Sequence, residues 1–76
     1  MENRKLSSIA FEIADDWQSV NFAAQPYLAA MTELNTIDDV YYLDDARSVV
    51  RYFLSNASGW KGENARRIKA ELKALL

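Results

Sequence analysis

Apolar residues recur along this chain at helical spacing, in four runs. Leu6, Ile9, Ile13 and Trp17 follow one another at steps of three, four and four, which places them on one face of a helix. Ser7 or Ser8 stands where a cap would start this helix, and the pattern fades near Ser19. Tyr27, Ala30, Met31 and Leu34 repeat the period. Asn21 is a candidate N-cap for this second helix, but Pro26 would then fall beyond the first turn, where proline is tolerated. The helix therefore opens with an irregular turn or starts nearer Gln25. Asn35 suits a left-handed C-cap.

Ala46, Val49, Val50, Phe53, Leu54 and Ala57 form the clearest amphipathic stripe. Asp44 is its expected N-cap, with Asp45 in the first turn, where an acid suits the helix dipole. Asn56, Ser58 and Gly59 are stop signals. The last helix begins between Ser58 and Glu63, and Ala65, Ile68, Leu72 and Leu75 form its apolar stripe, with Trp60 close to that line. Between the second and third runs lies "TIDDVYYLDD", Thr36 to Asp45. One helical turn started by Thr36, then a loop, is expected there. Val40, Tyr41 and Tyr42 have strand character, but no second strand is legible for them to pair with.

The pattern predicts an all-α fold: one small domain over residues 1–76, with three to four helices packed around one core. Ile9, Ile13, Trp17, Met31, Leu34, Val50, Phe53, Leu54, Ile68 and Leu72 are its expected interior. With 76 residues the chain is the size of a single domain. Stability on the order of 4–11 kcal/mol follows from roughly 0.05–0.15 kcal/mol per residue.

Composition then removes chemistry. There is no histidine and no cysteine, so the commonest general base, the commonest metal ligand and the best nucleophile are all missing. Disulfides and thiolate zinc sites are ruled out with them, which suits a reducing cytosol. Two glycines do not make a phosphate-cradling loop. Asp38 to Asp45 lacks the glycine and terminal glutamate of an EF-hand loop. The expectation is a protein that is not an enzyme and has no cofactor. No stretch reads as a signal peptide or membrane span.

Charge is sorted along the chain. Residues 6–46 carry eight acids and no Lys or Arg, while residues 47–76 carry seven bases and two acids. Glu12 and Asp16 are like charges one helical turn apart, and Asp15 and Asp16 sit near a helix C-terminus, which disfavours anions. Something must compensate, either the basic last helix of the same chain or a cationic partner. Internal pairing is the favoured reading. Lys61, Arg66, Arg67, Lys69 and Lys73 could instead meet phosphates or another partner, with Arg66, Lys69 and Lys73 sharing one helix face. Against nucleic acid, the net charge is −2 and the pI is near 4.9. Glu63 and Arg67 form an ordinary i, i+4 pair. The acidic aromatic connector, Asp38, Asp39, Tyr41, Tyr42 and Asp44, is the candidate protein contact, with at least one of its tyrosines exposed.

The runs Tyr52-Phe53-Leu54-Ser55-Asn56-Ala57, Trp60-Lys61-Gly62-Glu63, Ala65-Arg66-Arg67 and Ile68-Lys69-Ala70-Glu71-Leu72-Lys73, with Pro26 to Met31 upstream, resemble a group of small uncharacterised proteins of bacteriophages, prophages and other mobile elements. The resemblance covers most of the chain and carries no catalytic residue. It implies the cytoplasm of a bacterial host cell. With the missing chemistry, it makes a non-enzymatic protein-interaction module the leading expectation, an inhibitor or adaptor acting on a host or phage protein. The alternatives are a nucleic-acid-binding regulator using the basic last helix and, ranked lower, an acidic nucleic-acid mimic. A homodimer is left open, and no membrane partner is expected.

Overall fold

The computed structural model describes residues 3–76. Among these residues four helices surround one core: α1 (Leu6–Asp16), α2 (Gln25–Met31), α3 (Ala46–Ser55) and α4 (Glu63–Leu75). Between α2 and α3 stand two short antiparallel strands, β1 (Val40–Tyr41) and β2 (Asp44–Asp45), with Val40 opposite Asp45 and Tyr41 opposite Asp44. Helix α2 packs on both α3 and α1, and α1 also packs on α4. The expected interior residues are buried, except Leu54, which is half-buried. Trp60 is buried as well, stacked on Trp17 at 5.8 Å and 13°. Phe53 meets both rings edge-on, so three aromatics from separate segments close the α1–α3–α4 junction. Each such pair adds about 0.5–1.5 kcal/mol beyond its buried area. No helix among the described residues is long and apolar enough to cross a membrane.

Several helix ends differ from the expectation, each for a tertiary reason. Neither Ser7 nor Ser8 caps α1. Its first two N–H groups donate instead to the Asn35 and Leu34 carbonyls, Leu6 at 3.0 Å and Ser7 at 2.8 Å, so a distant loop does the capping. Helix α2 starts at Gln25 and places Pro26 in its first turn, where no N–H is missed. Asn21 caps the short turn before it, its side chain accepting from the Ala24 N–H at 2.8 Å. Helix α2 also stops at Met31, three residues before Leu34, and Asn35 is not left-handed. Leu34 is buried from a loop held by α1, so its helical spacing does not reflect a helix.

The connector is the largest correction to an all-helical reading. The turn at Thr36 forms, with the Asp39 N–H donating to the Thr36 carbonyl at 3.1 Å. A hairpin then replaces the expected loop. Val40 and Tyr41 do pair, and their partners are two aspartates, a residue type depleted in strands. Asp45, not Asp44, is the N-cap of α3, accepting from the Ser48 N–H at 2.7 Å. The same residue thus ends the hairpin and starts the helix. At the other stop, the glycine with positive φ is Gly62 at 111°, immediately before α4, rather than Gly59.

Candidate functional site

The acidic aromatic connector divides into a fixed base and a free tip. Asp39 belongs to the base: its carboxylate accepts from the Asn35 and Thr36 N–H groups at 2.8 and 3.1 Å and from the Thr36 hydroxyl at 3.0 Å. Those bonds hold it below the usual carboxylate range. Its carbonyl accepts from the Ala46 N–H at 2.8 Å, tying the hairpin to α3. Asp38 pairs with Arg47 at 3.1 Å, and the same guanidinium reaches the Leu75 and Leu76 carbonyls at 3.3 Å. The Tyr41 hydroxyl donates to Glu33 at 3.3 Å.

The tip is different. Tyr42 and Leu43 form the two-residue loop of the hairpin and are 81% and 101% exposed, with Val40 beside them at 66%. Tyr42 has φ +55°, the one non-glycine residue in that region among those described. Two-residue hairpin loops need positive φ, which glycine or asparagine normally supplies. A tyrosine there is strained, at a cost of about 1–3 kcal/mol. Its ring meets Tyr41 edge-on at 4.7 Å, which gives the strained conformer a packing partner. Asp44 is exposed beside the tip; its backbone pairs with Tyr41, and its carboxylate takes part in no ion pair among the described residues. Of the five connector residues expected as a contact, Tyr42 and Asp44 are therefore free, while Asp38, Asp39 and Tyr41 hold the base. Val40 and Leu43 were not legible as contact residues. The one signal was the apolar run from Val40 to Leu43 between two aspartate pairs.

The basic residues of the last segment also divide. Arg67 pairs with Glu12 of α1, and Glu12 takes a second bond from Arg4 at 2.8 Å. Arg4 reaches Glu71 of α4 as well, at 2.6 and 2.9 Å. This network bridges α1 and α4 and keeps the Glu12 carboxyl below its ordinary range, chiefly through Arg67 and then Arg4. Asp16 needs no cation: it accepts from the Trp60 indole N–H at 2.8 Å and the Asn64 amide at 2.9 Å. Charge sorting is thus answered internally at Glu12, by Arg67 of α4 and by Arg4. The expected Glu63–Arg67 pair does not form. Lys69 donates to the Trp60 carbonyl at 2.6 Å, and its ammonium lies 5.8 Å from the Trp60 ring centroid. Lys61, Arg66 and Lys73 reach no carboxylate among the described residues.

Among the described residues no three or more acids converge as a metal-binding group. No protein-family model, no curated protein and no solved structure matches this chain.

Proposed function

We propose that this chain is a non-enzymatic protein-interaction module whose contact is the hairpin tip, Val40, Tyr42 and Leu43. One observation carries the reading: a wholly exposed leucine stands beside a tyrosine kept in a strained backbone conformation. Strain of that kind is retained where surrounding structure over-determines it, and it clusters at functional positions. Exposed apolar side chains on a braced two-residue loop lose little conformational freedom on docking, which favours binding. Free Asp44 at the rim suits a partner whose apolar socket is bordered by Lys or Arg. The resemblance to small mobile-element proteins makes a host or phage protein in a bacterial cytoplasm the intended partner, with this chain as inhibitor or adaptor. The alternative, a nucleic-acid regulator reading DNA with α4, is weakened because Arg67 is engaged with Glu12.

A photo-crosslinking amino acid in place of Leu43 tests the proposal in host cells, with the same substitution at Ala29, exposed on α2, as the control. The expected result is one adduct specific to position 43. The purified partner should then bind Leu43→Asp more weakly by about 2–4 kcal/mol, the weight of an interface hot spot. Identical adduct patterns from the two positions, or unchanged binding of Leu43→Asp, would overturn it.

A further inference from the structure

A second, separate feature lies at the opposite end of the chain's charge distribution. Trp60, Lys61, Gly62, Ala65, Arg66 and Lys69 line a shallow cleft of about 360 Å³. Three of the six are cations and none is an acid. Arg4, Arg47 and Arg67 each reach a carboxylate; Lys61, Arg66 and Lys69 reach none among the described residues, and nor do Lys5, Arg51 and Lys73, which do not line the cleft. Like charges gathered without a counterion are unfavourable, and Lys61 is one of the charges that Lys69 meets. Partial burial, then the charges of Lys73 and Lys61, push its ammonium below the usual lysine value. Its bond to the Trp60 carbonyl uses one of its three donors and fixes the ammonium in place.

The geometry points to an anion site in this cleft, taking a phosphate group through Lys61, Arg66 and Lys69. A tetrahedral phosphate offers three oxygens to donors arriving from different sides, while a carboxylate offers two. The Arg66 guanidinium adds a planar fork suited to two of those oxygens. Gly62 on the wall has no side chain to obstruct the approach, and a Cβ there would be strained at its φ of 111°. The same phosphate chemistry is offered by a free nucleotide or pyrophosphate and by a nucleic-acid backbone. This site does not depend on the hairpin tip.

The test is a titration of the intact protein with sodium pyrophosphate, at ionic strength matched with sodium chloride, followed by amide and indole NMR signals. Saturable shifts at Gly62, Ala65 and the Trp60 indole, absent with chloride alone, are expected. Lys61→Glu and Arg66→Glu, both at exposed positions, should weaken binding by about tenfold each, the scale of one charge-assisted hydrogen bond. Leu43→Asp should leave it unchanged. Parallel titrations with ADP and with short oligothymidylate separate the sources. Tighter binding of ADP assigns the site to free phosphates, and tighter binding of the oligomer assigns it to a nucleic-acid backbone. Shifts that never saturate, or that chloride reproduces, overturn the site. So does wild-type affinity in both charge-reversal variants. Should Arg66→Glu fail to fold, Lys61→Glu and the saturation of the wild-type titration decide.

Discussion

The Trp60 indole N–H donates to the Asp16 carboxylate across 2.8 Å, joining the end of α1 to the segment that leads into α4. The Trp60 ring is buried and stacks on Trp17, the residue that follows Asp16. Trp60→Ala would remove both interactions and should destabilise the protein by about 3–5 kcal/mol, a large share of its total stability. Trp60→Phe keeps an aromatic ring and loses the donor, so its loss should be smaller. Chemical denaturation of the two variants checks the order.

Glu12 and Arg67 are the acid–base pair that links α1 to α4. Glu12→Lys and Arg67→Glu should each lower the Tm, and together they should recover part of the loss. Recovery stays incomplete because Arg4 then faces a cation at position 12. The coupling should shrink as ionic strength rises from about 0.01 to 1 M and the screening length falls from about 30 to 3 Å. Asp16→Lys with Lys69→Glu should show no rescue of an ion pair, since Asp16 is bonded to Trp60 and Asn64 and Lys69 to the Trp60 carbonyl, so any coupling between them runs through Trp60.

Acid should destabilise the fold from a definable point. Glu12, Asp16, Asp39, Asp45 and Glu71 are all held below their ordinary values, 4.5 for the glutamates and 3.8 for the aspartates. The unfolded chain therefore binds more protons than the folded one in this range, so stability falls as pH falls. The contribution is complete above those ordinary values and is lost as pH drops through the lower folded ones. Thermal melts should be nearly flat near neutrality and should decline below about pH 4.5. Asp39→Asn should start lower and lose less on acidification, because its bonds to Asn35 and Thr36 no longer depend on a carboxylate charge.

Asp44 and Asp45 are adjacent, exposed and alike in type, yet only Asp45 accepts the Ser48 N–H. Asp45→Ala should lower the Tm clearly and Asp44→Ala little, as measured by circular dichroism. The reverse order would return the cap to Asp44.

Tyr42 should trade stability for binding. Tyr42→Gly suits φ +55° without a Cβ penalty and should stabilise the free protein by about 1 kcal/mol. The same variant should bind a partner captured through Leu43 more weakly. Denaturant midpoints and titration with that partner report the two halves of the prediction.

The four helices and nearly all of the core were written in local pattern, because a helical stripe such as Val49, Val50 and Phe53 records which face must leave water. The absence of histidine and cysteine is a fact of the sequence itself. Whatever depended on a distant partner was not legible. Leu34 has helical spacing but is buried from a loop, because α1 takes its carbonyl and that of Asn35 as caps. Glu12 pairs with Arg67 because the crossing of α1 and α4 sets their register, which periodicity does not encode. The hairpin was hidden for a related reason. Its second strand is two aspartates and its loop lacks glycine, so only the combined hold of Asp39 on the turn, Asp45 on α3 and Tyr41 on Tyr42 brings the strands together. That hold is what leaves Leu43 in water.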